Sequence, residues 1–308
     1  MPTYANLDPR HRPHGFRAVL KWSLFDRLTG RRRIGPPGEP APRVEPDLAR
    51  IRNPVNGPRV TWIGHASFLV QTSEGTVLVD PVFSSRIAGT IPRHGKAGLE
   101  AKDLPAIDAI AVTHNHYDHL DAASIGALPR RSPVLVPEGL GRWFRKRRFA
   151  DVREMRWWDR VTVGGLRITF VPARHWSRRR PWDTNTSWWG GYVIQAEGST
   201  IYHAGDSAAF DGFATIAQRF RSIDLAMIPI GAYQPAWFME WFHMNPEQAG
   251  EAFLTLGAKA MVPMHWGAFR LTDEPLREPV ERLRKWWATK RPTGKLHVMA
   301  VGETILLE

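Results

Sequence analysis

Thr113-His114-Asn115-His116-Tyr117-Asp118-His119-Leu120-Asp121 follows directly on the apolar run Ala109-Ile110-Ala111-Val112, and three histidines and two carboxylates fall within its last eight residues. The run is short, apolar and bounded by Asp108 and the polar cluster, which predicts a buried strand. The ligand-type side chains then occupy the loop leaving the strand's C-terminal end, where a rigid scaffold presents its chemistry. Imidazole nitrogens and carboxylate oxygens at such spacing suit a borderline divalent metal such as zinc. The plain competitor is a polar loop that is histidine-rich by coincidence. With 12 histidines in 308 residues, three in six positions beside an aspartate weigh against it.

The chain is long enough for a large buried core. Its 43% hydrophobic and 23% charged residues describe an ordinary globular protein. Cysteine is absent, so any metal must be held by His, Asp and Glu, and no disulfide framework exists. A reducing, cytoplasmic setting fits best. The formal charge of +12 attracts anions: nucleic acid, an acidic membrane face or phosphorylated substrates. No run of about eighteen apolar residues is present to span a bilayer. The N-terminus also lacks the apolar core of a signal peptide. The 14 tryptophans, many beside Arg or Pro, point to an amphipathic surface or a lined cleft.

Residues 1–15 read as an irregular polar arm. A short helix is expected over Phe16–Leu28: Phe16, Val19, Leu20, Ser23 and Leu24 recur at helical spacing, and Trp22, Phe25 and Leu28 widen the face. With Arg17, Lys21, Arg27 and the triplet Arg31-Arg32-Arg33, residues 16–33 suit a membrane interface, or packing on the body of the protein. Pro36, Pro37, Pro40, Pro42, Pro46, Pro54 and Pro58 predict an extended wrapping segment. Residues 1–58 thus form a helix-and-wrap segment, and residues 59–308 the main domain.

That domain opens with an antiparallel meander, Val60–Ile63, Phe68–Gln71 and Thr76–Val79, followed by a long loop at 84–105. Beyond the metal loop come a helix near Asp121–Leu128, a strand Val134–Val136, a basic helix Gly139–Arg148 and a hairpin Arg160–Phe170. The second half echoes the first: paired runs Tyr192–Gln195 and Thr200–His203, a helix Ala208–Arg219 and a strand Leu225–Ile230. Asn245-Pro246-Glu247 then starts a helix running to about Leu256. A strand Ala260–Met264, a helix Pro279–Thr289 and a closing run Leu296–Val301 complete the chain. Mixed strands and helices in two similar halves predict an α+β fold, an αββα four-layer sandwich with two mixed sheets back to back and helices outside.

Three more ligand-type residues follow apolar runs as His114 does: His175, Asp206 and His265. Singly, each reads more readily as a satisfied polar group or a helix cap. Their common setting makes them converge at one edge of the sandwich.

The set His114-x-His116-x-Asp118-His119, His175, Asp206 and His265 resembles the metallo-β-lactamase superfamily. Within it the chain most resembles the N-acylphosphatidylethanolamine-hydrolysing phospholipase D family and its bacterial relatives. Thr61-Trp62-Ile63-Gly64-His65-Ala66-Ser67, Asp80-Pro81-Val82-Phe83-Ser84, His175-Trp176-Ser177, Asp183-Thr184-Asn185, Ser187-x-Trp189-Gly190, Ile228-Pro229-Ile230-Gly231-Ala232-Tyr233-x-Pro235 and His265-Trp266-Gly267 carry the likeness over roughly residues 59 to 280. The resemblance implies two zinc ions, with iron or manganese as alternatives. His114, His116 and His175 would hold one ion, Asp118, His119 and His265 the other, and Asp206 would bridge them. A hydroxide between the ions would attack the electrophile, with Asp118 orienting it or taking its proton. The resemblance also places His243 beside the substrate as a proton donor or phosphate contact.

Asp80 and Asp121 are expected to bond ligand imidazoles or loop backbone. His65 either supports the site or fills a tight turn. Tyr233 and Gln234 are expected to line the cleft, whereas His203 reads as structural. The leading expectation is a zinc phosphodiesterase of phospholipase D type acting on N-acylphosphatidylethanolamine-like lipids, peripheral at a membrane; the sequence leaves the oligomeric state open, and the resemblance allows a homodimer, common among relatives. The same site also suits a lactone, a phosphorylated sugar lactone or another ester. A nuclease of this fold would need an inserted domain, and the 55 residues between His119 and His175 leave no room for one. A basic membrane- or RNA-binding protein with a vestigial site is the non-enzymatic competitor, and the full ligand set argues against it.

Overall fold

The computed structural model describes residues 3–307 apart from 12, 33, 54–56 and 197; Arg33, Pro54 and the side chain of Phe16 thus lie outside the described residues. The strands in chain order are β1 (Arg59–Gly64), β2 (Ser67–Thr72), β3 (Gly75–Val79), β4 (Arg86–Ile87), β5 (Ile91–Pro92), β6 (Ala109–Ala111), β7 (Val134–Pro137) and β8 (Val152–Met155). They continue as β9 (Arg160–Val163), β10 (Leu166–Val171), β11 (Gly191–Ala196), β12 (Ser199–His203), β13 (Leu225–Pro229), β14 (Ala260–Met264), β15 (Lys295–Leu296) and β16 (Thr304–Leu306).

Two seven-stranded sheets result, ordered β16-β1-β2-β3-β6-β7-β8 and β15-β14-β13-β12-β11-β10-β9. Each is antiparallel over the early strands and turns parallel over the later ones, at β3–β6 and at β12–β13. The two halves are therefore architectural echoes, as the sequence suggested. Period-two alternation builds the layers. Val60, Trp62, Phe68, Val70, Val77 and Val79 face the second sheet, where Ile168, Phe170 and Tyr192 meet them. Leu69, Leu78, Ile110, Val134 and Val136 point the other way, toward Ile125 and Phe144 of the helices Ala122–Gly126 and Gly141–Arg145. Phe213, Phe253 and Leu283 bring the helices Gly212–Arg219, Pro246–Leu256 and Glu278–Lys290 onto the second sheet. Helix, sheet, sheet, helix is the expected αββα order.

Several elements depart from the sequence reading, among them a short helix Leu48–Arg52 that Asp47 caps inside the segment expected to be extended, and a helix Ala236–Met239. The closing run Leu296–Val301 is strand only at its start; the chain then crosses to the first sheet, where β16 pairs antiparallel with β1 through Thr61↔Thr304 and Arg59↔Leu306. β16 is three residues long, too short for periodicity to register. β8 is an edge strand carrying Arg153 and Glu154, so it lacks an apolar run. The 84–105 loop contains the small β4–β5 hairpin. The wrapping segment is tied down by Ala41 N–H to Gly267 O at 3.0 Å and Val301 N–H to Pro42 O at 2.7 Å. Residues 16–28 are helical, with a π turn over Lys21–Phe25. No helix among the described residues is long and apolar enough to cross a membrane.

Trp62 is fully buried between the sheets and stacks on Trp266 at 5.5 Å. Trp62→Ala should cost about 3–5 kcal/mol. Chemical denaturation should show a lower midpoint at unchanged slope.

Candidate metal centre

All the ligand-type residues gather where strands of both sheets end. β6 delivers His114, His116, Asp118 and His119; β10 leads to His175, β12 to Asp206 and β14 to His265. The β1–β2 turn adds His65. Three residues here take left-handed backbone: Asp80, His65 and His265 have φ of 44°, 56° and 64°. Such left-handed non-glycine residues are held only where the surroundings over-determine them. Gly231 lets the backbone close on His265, since a Cβ there would fall 2.0 Å from the His265 carbonyl.

Two clusters form. His114, His116, His175 and Asp206 make one; His65, Asp118, His119 and His265 make the other. In the first, His116 Nδ1 lies 2.9 Å from His114 Nε2 and 3.1 Å from His175 Nε2. Hydrogen bonds fix what these atoms carry. His175 donates Nδ1–H to the Phe242 carbonyl at 2.9 Å, leaving Nε2 a bare lone pair. Thr113 donates its hydroxyl to Asp80 at 2.6 Å, so it accepts Nδ1–H from His114 at 3.0 Å and leaves that Nε2 bare also. Both bare lone pairs face His116 Nδ1, which can donate a proton to one of them at most, whereas a cation among the three nitrogens satisfies them all. Burial and the neighbouring imidazoles keep all three rings neutral, His116 near pKa 3 and His175 near 4. Three neutral nitrogens beside a carboxylate form a divalent-ion donor set.

In the second cluster, His119 donates Nδ1–H to Asp80 at 2.6 Å, and its Nε2 faces Asp206 Oδ2 at 3.1 Å and Asp118 Oδ2 at 3.7 Å. His265 Nε2 lies 3.2 Å from each of the same two oxygens. Asp206 Oδ2 thus reaches toward both clusters, with His114 and His175 at 3.7 and 3.8 Å. Its Oδ1 is buried and has no partner among the described residues. Asp80, Asp118 and Asp206 are three buried carboxylates that need positive charge. Without metal, two imidazoles supply it: burial opposes protonation, but Asp206 and Asp118 outweigh it, raising His265 to about 9 and His119 well above its ordinary range. Divalent ions fit the same place.

His65 Nε2 stands 3.0 Å from Asp118 Oδ2 and its ring 4.0 Å from that of His265, so it belongs to the site as well as to the turn. His243 reaches the shared carboxylate from the cavity side, at 4.0 Å from Asp206. Asp121 caps the following helix through Ser124 N–H at 2.9 Å and accepts from Ser84 at 2.5 Å, which is the loop-backbone role. His203 bridges the sheets, donating to Ala66 O at 2.9 Å while accepting from Gly205 N–H, the residue before Asp206.

Tyr233 needs correcting. Its hydroxyl donates to Glu278 at 2.7 Å, so the ring turns toward a helix, and Ala232 faces the cleft in place of Tyr233 and Gln234. The cause is Glu274, whose buried carboxylate accepts the N–H groups of Ala232, Tyr233 and Gln234 and fixes that turn. Sequence reasoning missed Glu274, Thr113 and Arg179; Arg179 donates to Asn115 O and Leu120 O and so braces the metal loop. Thr113 alone had a local signal, its place next to His114.

Residues 75–266 match the beta-lactamase superfamily domain. The chain belongs to the beta-lactamase superfamily. It is 34% identical over 243 residues to the N-acyl-phosphatidylethanolamine-hydrolyzing phospholipase D 1 of Caenorhabditis elegans, covering 73% of this chain and 68% of that one. A metal-dependent hydrolase of Koribacter versatilis is 34% identical over 228 residues, 72% of this chain and 90% of its own. Among solved structures, a possible metal-dependent hydrolase from Veillonella parvula superposes with a TM-score of 0.67 at 19% identity, over 82% of this chain and 100% of that one. The protein is a metal-dependent hydrolase of this superfamily, with histidine and aspartate clusters able to bind metal.

Two outcomes follow from the centre. Purified without chelator, the protein should carry roughly two transition-metal ions; by elemental analysis Asp206→Ala should lose more metal than His243→Ala, which should keep it. Metal-free protein should have its highest melting temperature near pH 6.5. Below that, the unfolded chain takes up protons that buried His116 and His175 refuse until about pH 3 to 4, so stability falls with falling pH. Above it, His265 keeps a proton to about pH 9 that the unfolded chain has already lost, so stability falls with rising pH. A melting temperature flat across pH 4–9 would contradict the charge assignment.

Proposed function

We propose that the protein is a zinc-dependent phosphodiesterase of phospholipase D type, acting on N-acylphosphatidylethanolamine-like phospholipids at a membrane surface. One observation carries this reading: a cavity of about 240 Å³ has His116, Asp118, Asp206 and His243 on its floor, and an apolar wall that includes Val19 and Trp22 of the N-terminal helix. Phe238, Phe242 and Leu271 complete that wall, and Arg178 stands in the lining. A polar, ligand-rich floor under an apolar wall suits a phosphodiester attached to acyl chains.

Bound divalent ions would supply Lewis-acid activation of water and neutralise charge building on phosphorus. Asp118, buried beneath the cavity and gripped by His65 and His265, is placed to orient the attacking water and accept its proton. Burial holds His243 neutral, so its role is to donate a hydrogen bond to a phosphoryl oxygen, the phosphate-contact alternative of the sequence reading. Arg178, its guanidinium 4.9 Å over the Trp176 ring, offers the positive charge that draws an anionic substrate in.

The helix over residues 16–28 has two apolar faces. Val19 and Trp22 line the cavity, whereas Leu24, Phe25 and Leu28 are exposed by 50%, 52% and 77%. With Arg27 and Arg31 beside them, these side chains suit insertion among anionic headgroups, next to where the substrate must enter.

Hydrolysis of N-acylated and ordinary phosphatidylethanolamines, a bis-aryl phosphodiester and a lactone panel should show activity on the phosphodiesters, highest on the N-acylated lipid. Turnover of lactones alone would replace this reading. Arg178→Ala should raise KM about 10-fold or more for the anionic lipid with less effect on kcat. Vesicles with anionic lipid should sediment the protein, and Leu24→Asp with Phe25→Asp should abolish that.

A further inference from the structure

Residues 172–190, the loop that carries His175, contain no helix or strand. The loop is braced internally at Ser177, which bonds Asn185 and Ser187, and Arg174 is anchored by Ser207 and Ala208, but none of these bonds reaches the backbone of His175, four positions beyond the end of β10. The setting comes from the far end of the chain. Tyr4 donates its N–H to Asn185 O at 2.8 Å, and its ring stacks on Trp188 at 5.0 Å. Two residues on, Asn6 is buried at 7% exposure directly behind His175. Its Nδ2 donates to the His175 carbonyl at 2.9 Å, and its Oδ1 accepts the His175 N–H at 3.1 Å. The second N–H goes to His11 O at 3.0 Å, and the second lone pair takes Trp189 Nε1–H at 3.2 Å.

A carboxamide offers two donors and two acceptor positions, and Asn6 uses all four. By closing on both the N–H and the C=O of His175, it holds that residue's backbone as a neighbouring strand would. The imidazole is held separately, by Nδ1–H to the Phe242 carbonyl. The same arm steadies that second anchor: His11 packs on Trp241 at 5.0 Å, and His14 stacks on Phe238 at 4.6 Å and bonds its carbonyl at 2.9 Å. Backbone and ring of one ligand are thus fixed by a segment that the sequence reads as an irregular arm.

We infer that Asn6 is a positioning residue of the metal centre: it sets the backbone of His175 so that Nε2 points at the ion shared with His114, His116 and Asp206. This rests on the reading of those four residues as one metal cluster. An ordinary buried asparagine would support the fold without distinguishing one cluster from the other. Asn6 touches His175 and no member of the cluster formed by Asp118, His119 and His265, so its loss must be selective.

The test uses the full-length protein as wild type, Asn6→Ala and Asn6→Asp, with stepwise zinc affinities from chelator competition, the cobalt(II) absorption spectrum, and the melting temperature of the metal-free form. Asn6→Ala should weaken one of the two ions about 10- to 100-fold and leave the other unchanged, with altered cobalt bands for the weakened site. Asn6→Asp keeps the acceptor for His175 N–H and Trp189 but sets a carboxylate oxygen against the His175 and His11 carbonyls, so it should weaken the same single ion; whichever variant is recovered folded carries the comparison. Unchanged affinities, or equal weakening of both ions alongside a lower melting temperature, would overturn the role of Asn6. Wild-type protein that binds no ion would instead refute the metal reading beneath it.

Discussion

Three carboxylates, Asp80, Asp118 and Asp206, are buried within one knot of imidazoles at the junction of the two sheets. A buried carboxylate in a low-dielectric interior is tolerated only when countercharge and hydrogen bonds meet it. Asp80 is fully occupied by Thr113 N–H, the Thr113 hydroxyl and His119 Nδ1–H, and so acts as the fixed base of the arrangement. Asp118 and Asp206 face inward, and only cationic imidazole or metal can satisfy them. Much else follows from that demand: positive-φ backbone at His65, Asp80 and His265, glycine opposite His265, and neutral histidines with bare nitrogens turned inward.

The demand also couples the site to the fold. One sheet supplies His114, His116, Asp118 and His119, and the other supplies His175, Asp206 and His265. Their donor atoms converge only if the sheets keep register. The contacts that hold it lie close to the ligands: Trp62 on Trp266, His203 donating to Ala66 O, and the Tyr192 hydroxyl donating to Val112 O and Leu135 O of the opposite sheet. An ion bound across both sheets favours the folded state over the unfolded one by mass action. Catalytic geometry and interlayer packing are one constraint.

The metal loop was readable because its information is local: ligand types at short spacing after an apolar run need no tertiary knowledge. His175, Asp206 and His265 were readable by the same rule, each after a strand. The αββα order followed from mixed strands and helices recurring in two similar halves, with strands that read as near-continuous apolar runs because both their faces are buried. What escaped is what depends on distant partners. Tyr233 sits in a motif beside the cleft, yet Glu274 and Glu278, some forty residues on, turn it away. β16 is too short to show a period and is strand only because β1 offers it an edge. Asn6 lies in a stretch with no pattern at all, and its partner is 169 positions away.

The N-terminal segment therefore changes meaning along its length. Tyr4, Asn6, His11 and His14 lie on the loops that hold His175 and His243, while the helix that follows walls the cavity with Val19 and Trp22. Asp273 fastens that helix, accepting from Trp22 Nε1–H at 3.1 Å and from Arg32 at 2.8 Å. On the proposed reading, a segment fixed at both ends and apolar on its outer face would join three things that a lipid hydrolase must keep together: the surface it meets, the cavity that takes an acyl chain, and the ligand beneath. A soluble lactone would use the metal floor and leave the exposed Leu24, Phe25 and Leu28 without a purpose. The floor alone does not choose between phosphorus and carbon electrophiles; the wall above it favours a substrate that arrives from a membrane.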